Sequence, residues 1–212
     1  MIKNKFIIPA IIAKSQNELE EKIKKVKDFV ELIQLDFMDG HFVYNTSIDF
    51  DFKIPKTSCN FEAHLMIKNP SRWIKKNYMK VDTILFHIES IDNPKSIIDV
   101  VKDNNKKVGI VINPESSIDL ITDYIDEIDE VLVMTVNPGF YGSPFLPEMI
   151  EKISKLRKIA PKLDVEVDGG IDDKTIDIAN KAGANMFVSG SYILKSKDPQ
   201  NSIKTLKDII KR

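Results

Sequence analysis

Three short apolar runs of the sequence each carry an acidic or histidine residue near their C-terminal end: Asp36, His64 and Asp168. Side chains alternate between the two faces of a strand, so each of these residues shares its face with side chains two positions away. Those neighbours are Gln34, Met38, Glu62, Met66 and Glu166. Carboxylates and imidazoles are ligands for divalent metals such as zinc, iron and manganese. The pattern therefore predicts a metal site formed by Asp36, His64 and Asp168.

Asp36 and Asp168 also suit a second kind of chemistry, because their strands are expected to lie well apart in the fold. Two carboxylates on opposite sides of one carbon can move a proton, one removing it and the other returning one to the opposite face. A metal that stabilises enediolate oxygens acidifies the proton next to a carbonyl. The alternatives are a structural ion pair for each carboxylate and a core position for His64. The three strand ends together favour a catalytic site.

Glycine-rich turns follow the last three predicted strands. Gly139, Phe140, Tyr141 and Gly142 form the first turn, Gly169 and Gly170 the second, and Gly190 and Ser191 the third. Such turns after the last strands of a barrel bind phosphate through backbone N–H groups, although a single one would merely allow a tight bend. We therefore predict a phosphate site there.

Eight apolar runs alternate with helical segments along the chain and define the elements that must position these groups. The predicted strands are Phe6–Ile8, Leu32–Phe37, Asn60–Leu65, Thr83–His87, Val108–Ile112, Glu130–Met134, Asp164–Val167 and Met186–Ser189. Eight strands with crossovers favour an α/β fold, a single (β/α)₈ TIM barrel over residues 1–212. An open doubly wound sheet is the alternative, but the segment after the first strand lacks the glycine loop such a fold uses.

Local signals place the helices between these strands. Ser15 and Glu18 form a capping box, followed by a helical stripe. That stripe consists of Leu19, Ile23, Val26 and Val30. Asn69-Pro70, Asn93-Pro94 and Asp198-Pro199 each predict a helix start, with proline at the first helical position. The segment from Gly40 to Pro55 is expected to be a long loop with a short helix.

Composition excludes several classes of function. Of the 212 residues, 42% are hydrophobic and 30% charged, with a net charge of -1, which favours neither nucleic acid nor a membrane surface as partner. No apolar run is long enough to span a bilayer, and the N-terminal one is too short for a signal peptide. The single cysteine, Cys59, excludes an intrachain disulfide, so we expect a cytoplasmic protein.

At these residues the chain resembles the ribulose-phosphate 3-epimerase family. The matching segments are Leu35–Val43, Ala63–Pro70, Phe86–Glu89, Val133–Phe140, Glu166–Ile171 and Val188–Ser191. They occur in the family's order over nearly the whole chain. The resemblance implies a TIM barrel that interconverts D-ribulose 5-phosphate and D-xylulose 5-phosphate at carbon 3, and it suggests a homo-oligomer.

The resemblance also implies roles for individual residues. Asp36 and Asp168 match the two acid/base aspartates, which bind the divalent metal together with the histidine matching His64. The substrate phosphate is held by the segments matching Gly139–Gly142, Gly169–Gly170 and Gly190–Ser191. Methionine usually only fills gaps in a core. In this family, however, the methionines matching Met38, Met66 and Met134 line the site.

The sequence departs from the family around this pocket. Gln34 stands where the family has a histidine that serves as the fourth metal ligand. An amide oxygen is a poorer zinc ligand than an imidazole nitrogen. We therefore expect metal binding to be weakened, altered or lost. Ala10 replaces a serine that touches the substrate. Tyr141 and Ser143 replace a glycine and a glutamine, and Tyr44 replaces a proline.

These departures leave three hypotheses open. The first is an active ketose-phosphate 3-epimerase, acting on a pentulose phosphate or, as in related allulose 6-phosphate epimerases, a hexulose phosphate. The second is a non-catalytic protein that binds a sugar phosphate without metal. The third is another barrel activity such as a decarboxylase, which would usually place a catalytic lysine on a central strand; the strand ends identified above carry none.

Overall fold

The computed structural model describes residues 4–140 and 142–211 and forms a parallel barrel surrounded by helices. The strands are β1 Phe6–Ile8, β2 Ala10–Ile11, β3 Leu32–Asp39, β4 Thr46–Ser47, β5 Asn60–Met66, β6 Thr83–His87, β7 Lys107–Ile112, β8 Glu130–Met134, β9 Asp164–Asp168 and β10 Met186–Val188. The α-helices are α1 Gln16–Val26, α2 Ser71–Asn77, α3 Pro94–Asp103, α4 Met149–Ile159, α5 Ile176–Ala182, α6 Ser191–Leu194 and α7 Pro199–Ile210. Short 3-10 helices cover Tyr78–Lys80, Ile88–Ser90 and Ile118–Tyr124. The predicted (β/α)₈ barrel is confirmed.

The barrel closes through its first strand, which is split at Pro9. β1 pairs with β10 and β2 pairs with β3, all parallel. Proline has no N–H to donate, but its carbonyl accepts a hydrogen bond from Gln34 N at 3.0 Å, which continues the ladder across the break. β1 and β2 therefore occupy one of eight barrel positions, and β4 is an antiparallel addition to β3.

Buried apolar side chains lie both inside the barrel and between the barrel and its helices. The larger cluster packs the helices against the outer faces of the strands and includes Leu35, Phe37 and Phe187. The barrel interior has its own apolar layer, which includes Leu85, Val111 and Leu132. Because alternate residues of each strand point inward, the polar side chains inside the barrel come from the same alternation.

Three helix starts agree with the predicted caps and one does not. The side chains of Ser15, Asn93 and Asp198 each accept a hydrogen bond from a backbone N–H in the first turn of α1, α3 and α7. The Asn69-Pro70 prediction is wrong: α2 begins at Ser71 after Pro70, without a side-chain cap. Asn69 has a φ of 53° and so cannot cap in the usual extended geometry.

Two further predictions of helix were wrong in extent or type. α1 ends at Val26, so Val30 lies beyond the helix, although it is buried. The segment from Gly40 to Pro55 contains the short strand β4 instead of a helix. Asp39 stabilises the start of this loop, because its side chain accepts hydrogen bonds from the backbone N–H groups of His41 and Phe42, both at 2.8 Å. Within the described residues, no helix is long and apolar enough to cross a membrane.

Candidate active site

A cavity opens at the C-terminal end of the barrel, where the strand ends and the loops after them meet. Its lining contains all the predicted site residues except Gln34 and Tyr141. These are Ala10, Asp36, Met38, His64, Met66, Met134, Gly139, Phe140, Gly142, Asp168, Gly169, Gly170, Gly190 and Ser191. Gln34 lies beneath the cavity, and Tyr141 lies outside the described residues. The structure thus brings together strand ends that are distant in the sequence.

Asp36, His64 and Asp168 form a compact group on β3, β5 and β9. His64 Nδ1 lies 3.3 Å from Asp36 Oδ1 and 3.4 Å from Asp168 Oδ2. His64 is fully buried and Asp36 nearly so, at 5% exposure. The register of the sheet explains part of this group, because Asp36 stands directly opposite His64. The group uses only Oδ1 of Asp36 and Oδ2 of Asp168, so the second oxygen of each carboxylate remains available for other contacts.

Gln34 joins the two aspartates from below. Its Nε2 donates hydrogen bonds to Asp36 Oδ1 and to Asp168 Oδ2, both at 2.8 Å, and lies 3.3 Å from His64 Nδ1. One amide nitrogen therefore bridges the two carboxylates that were predicted to transfer protons. Gln34 faces the site, as the alternation of side chains along β3 predicts.

The surroundings of this group change its protonation. Burial raises the pKa of Asp36, with a smaller contribution from the charge of Asp168. Burial alone would lower the pKa of His64, but its hydrogen bonds to Asp168 and Asp36 outweigh this effect and raise it to about 9. In the absence of a cation, the imidazolium of His64 and the amide N–H groups of Gln34 therefore compensate the two carboxylates. A metal must compete with that proton for Nδ1.

The chemistry of the donor set fits a divalent metal. One ligand atom from each of Asp36, His64 and Asp168 lies within 4.8 Å of the others. Gln34 Oε1 is buried and has no hydrogen-bond partner among the described residues. Half a turn about the last side-chain torsion of Gln34 would exchange this oxygen with Nε2, so the amide could offer an acceptor to a cation. Two carboxylates, one imidazole nitrogen and one amide oxygen form a donor set of the kind that divalent metals bind.

The glycines after β9 adopt backbone conformations that other residues rarely adopt. Gly169 and Gly170 have φ values of 119° and 66°. A Cβ on Gly169 would lie 2.4 Å from a methyl carbon of Val136, and one on Gly170 would lie 2.6 Å from the backbone nitrogen of Phe145. Thr135 Oγ1 donates a hydrogen bond of 2.6 Å to the Gly169 carbonyl and holds the turn. Only glycine fits this turn, which brings its backbone to the cavity.

Sequence reasoning missed the contact between His64 and His87. The Nε2 atoms of the two rings are 2.9 Å apart, and both side chains are fully buried. His87 Nδ1 lies 3.6 Å from Glu89 Oε2. The resemblance marked Phe86–Glu89 only as a motif, but strand alternation could have found His87, since it shares the inward face of β6 with Leu85.

Three buried glutamates lie deeper in the barrel. One oxygen each of Glu62, Glu130 and Glu166 lies within 4.8 Å of the others. None of the three lines the cavity. Burial, followed by the charges of the other members, raises the pKa of Glu62 and Glu166 well above the usual range. Sequence reasoning did not single out Glu130, although alternation along β8 could have found it, because Glu130 shares the inward face of that strand with Leu132 and Met134.

The raised pKa of Glu166 predicts a pH-dependent gain in stability for Glu166→Gln. The unfolded-state pKa of a glutamate is about 4.3, and the folded-state pKa of Glu166 is higher. As the pH rises above the unfolded-state pKa, the protein loses folding stability, because ionising the carboxyl is harder in the folded state. Below the unfolded-state pKa the carboxyl is protonated in both states and has no such effect. We expect the metal-free variant to be more stable than the wild type by about 1 kcal/mol or more at pH 8. The gain should shrink towards zero at pH 4. Urea unfolding at both pH values, in the presence of a chelator, measures the difference.

The matched control for this prediction is Glu21→Gln, which removes an exposed glutamate on α1. This control should show no comparable increase in stability between pH 4 and pH 8. A Glu166→Gln gain that is the same at both pH values would contradict the electrostatic origin.

Some of the residues that depart from the family line the cavity, and others lie away from it. Ala10 lies in the lining and is 2% exposed, and Ser143 also lines the cavity. Tyr44 points into solvent with 96% exposure, and Phe140, which lines the cavity, is 60% exposed. Met38, Met66 and Met134 all line the cavity as their shared level in the strands indicates. Among the departures that the structure describes, Tyr44 is thus the least connected to the site.

Comparison with known proteins gives one family. The model of the ribulose-phosphate 3-epimerase family matches residues 6–194. The chain is 35% identical to the cytoplasmic isoform of ribulose-phosphate 3-epimerase from Oryza sativa subsp. japonica, over 95% of this chain and 92% of that protein. It is 33% identical to ribulose-phosphate 3-epimerase from Bacillus subtilis (strain 168), over 95% and 97%. In fold it resembles 3-keto-L-gulonate-6-phosphate decarboxylase from Vibrio cholerae, with a TM-score of 0.72, 12% identity and coverage of 100% and 99%.

Proposed function

Since this chain belongs to the ribulose-phosphate 3-epimerase family, we propose that it interconverts D-ribulose 5-phosphate and D-xylulose 5-phosphate at carbon 3. The observation that carries the proposal is the pair of carboxylates, Asp36 and Asp168, held by one amide nitrogen at the floor of a single cavity. Both were assigned acid/base roles from the sequence, and both belong to strand ends of the same barrel mouth.

The two aspartates divide the proton transfer between them. In one direction Asp36 removes the proton from carbon 3, and the substrate becomes an enediolate. Asp168 then delivers a proton to the opposite face of that carbon, which inverts its configuration. One oxygen of each carboxylate is held by Gln34 Nε2 in the metal-free protein and would be held by the cation once metal is bound, so in either state the second oxygen can exchange a proton with the substrate. The reverse reaction exchanges the two roles.

Asp36, His64 and Asp168 would hold a divalent metal, with Gln34 Oε1 as a further donor. When bound, such an ion supplies positive charge that stabilises the oxygens of the enediolate. Manganese and iron suit this oxygen-rich set better than zinc. The methionines in the lining give the floor an apolar, polarisable surface that excludes water from the reacting carbon.

We place the substrate phosphate at the turns formed by Gly139–Gly142, Gly169–Gly170 and Gly190–Ser191. The described residues of these turns line the cavity. Their glycines allow the backbone to approach a ligand closely. In TIM barrels, the turns after the last strands are also the usual phosphate site. Phe140, more than half exposed at the rim, would cover the bound sugar.

A metal-free, non-catalytic sugar-phosphate-binding protein is the second candidate, and the position of Gln34 favours it. Its N–H groups already satisfy both carboxylates at 2.8 Å, and the charge of His64 adds to this compensation. The cavity and the phosphate turns would then bind the sugar without reaction. Alternatively, the same machinery could act on a hexulose phosphate such as allulose 6-phosphate.

We extend the proposal to the oligomeric state, the cellular compartment and the partners of the protein. The family resemblance supports a homo-oligomer and a single barrel domain over residues 1–212. The single cysteine, buried Cys59, is consistent with a reducing cytoplasm. Neither nucleic acid nor membrane is expected as a partner, because the net charge is -1.

Exchange of solvent deuterium into the substrate tests the proposed function. We expect purified protein in D₂O to incorporate deuterium at carbon 3 of ribulose 5-phosphate and to form xylulose 5-phosphate. Added manganese or iron should accelerate this reaction, and a chelator should suppress it. The same measurement with allulose 6-phosphate compares the pentulose with the hexulose. Binding of ribulose 5-phosphate without exchange, with or without added manganese, iron or zinc, would support the non-catalytic candidate instead.

A further inference from the structure

His64 uses its two ring nitrogens in opposite directions. Nδ1 faces Asp36 and Asp168 at 3.3 and 3.4 Å, whereas Nε2 lies 2.9 Å from His87 Nε2. The two rings are nearly parallel, with an interplanar angle of 20°, and both are fully buried. Phe42 packs against the His87 ring, with 4.7 Å between the ring centroids. The contact between the two histidines is therefore shielded from water.

Two ring nitrogens at 2.9 Å form a hydrogen bond only if one carries the proton and the other offers its lone pair. With the proton on His64 Nε2, neutral His64 has a free lone pair on Nδ1. With the proton on His87 Nε2, neutral His64 would have to carry its own proton on Nδ1, and that nitrogen could not bind a metal. The direction of this one hydrogen bond therefore decides whether His64 can be a metal ligand.

The charge of Glu89 favours one direction of this hydrogen bond over the other. Its Oε2 lies 3.6 Å from His87 Nδ1, which is too long for a hydrogen bond but close enough for a carboxylate to favour a proton on Nδ1. A neutral His87 protonated on Nδ1 has its lone pair on Nε2 and accepts from His64. Carboxylates orient metal-binding histidines in this way in many proteins.

Glu89 is itself held in place by the loop after β7. Its Oε1 accepts hydrogen bonds from Asn113 N, at 2.9 Å, and from Ser116 Oγ. Lys152 on α4 fixes this loop by donating to the carbonyls of Asn113, Pro114 and Ser116 at 2.7 to 2.9 Å. The carboxylate is thus anchored by groups that do not touch the cavity group.

We propose that His87 and Glu89 are positioning residues that keep the proton of His64 on Nε2 and so make its Nδ1 a metal ligand. The inference rests on the metal site of the proposed function, but not on the identity of the sugar. Neither residue contacts the substrate position. Their effect should therefore appear first in metal affinity and in the hydrogen bond between the two rings.

Nuclear magnetic resonance of ¹⁵N-histidine-labelled protein tests the hydrogen bond without metal. We expect a ¹⁵N–¹⁵N scalar coupling between the Nε2 atoms of His64 and His87 in the chelator-treated wild type, with the proton on His64, at pH 10, where most of the His64 side chains are neutral and only one ring nitrogen carries a proton. His87→Phe, which keeps an aromatic ring but no acceptor, should abolish the coupling. Absence of the coupling in the wild type, or a proton on His87 Nε2, would overturn the proposal.

Manganese and zinc titrations against a chromophoric chelator test the consequence. His87→Phe should weaken metal binding roughly 10- to 100-fold, and Glu89→Gln roughly tenfold. His87→Gln, whose amide oxygen can accept from His64 Nε2–H, should recover most of the affinity. Asp92→Asn is the matched control for Glu89→Gln, because it removes an exposed carboxylate from the same loop, and it should bind metal like the wild type.

The outcomes separate this proposal from the proposed function. An unchanged metal affinity in folded His87→Phe, or an equal loss in Asp92→Asn and Glu89→Gln, would overturn the positioning role. A wild type that binds metal as described but does not turn over ribulose 5-phosphate would contradict the proposed function and leave the positioning role supported. Circular dichroism and urea unfolding establish that each variant is folded.

Discussion

Asp36→Asn and Asp168→Asn are each expected to lower the rate of epimerisation roughly 10²- to 10⁴-fold while leaving the barrel folded. The carboxylates share Gln34 Nε2 as a donor at 2.8 Å, and either substitution removes a proton acceptor that the other carboxylate cannot replace on its own face of the carbon. Asparagine is nearly the same size as aspartate, so the strands should pack unchanged. Steady-state turnover of ribulose 5-phosphate and circular dichroism measure the two effects.

Residual proton exchange distinguishes a two-base mechanism from a general loss of activity. An enzyme with only one functional base can still exchange the carbon-3 proton of the epimer whose proton faces that base. We therefore expect any deuterium exchange in Asp36→Asn and in Asp168→Asn to be confined to opposite epimers. Asp49→Asn, which alters an exposed carboxylate on the loop after β3, is the control and should retain full activity. More than a few per cent of wild-type turnover in either variant would contradict the mechanism.

Gln34→His is expected to tighten the binding of zinc or manganese by tenfold or more, equivalent to about 1.4 kcal/mol. The substitution removes the amide N–H groups that now bridge Asp36 and Asp168, and it supplies an imidazole nitrogen, which binds these metals better than an amide oxygen. Competition with a chelator of known affinity measures the change. If metal limits the wild-type enzyme, turnover at low metal concentration should rise in parallel.

Gln16→His is the matched control, because Gln16 lies at the start of α1 and donates to Glu20 and to the Lys53 carbonyl outside the barrel. It adds a histidine without changing the cavity, so the affinity of the site should not change. Equal metal affinity in Gln34→His and the wild type would show that position 34 does not contribute to the metal site.

The strands and their inward faces were predictable from the sequence because each depends on local alternation. All eight predicted strands occur, and Gln34, Asp36 and Met38 share a face as the period of two requires. The helix starts at Asn93 and Asp198 were predictable for a similar reason, since the capping oxygen and its donor are three residues apart. The wrong start at Asn69 depended on the left-handed backbone of that residue, which the dipeptide alone does not reveal.

The sequence by itself determined which residue types stand at the mouth of the barrel, because strand alternation and turn glycines are local properties of the chain. Only the tertiary structure decided how these groups contact one another. It showed that one amide nitrogen of Gln34 bridges Asp36 and Asp168, and that His64 meets His87. These contacts depend on the stagger of strands that are up to 134 residues apart, and on side-chain torsions fixed only when the barrel closes.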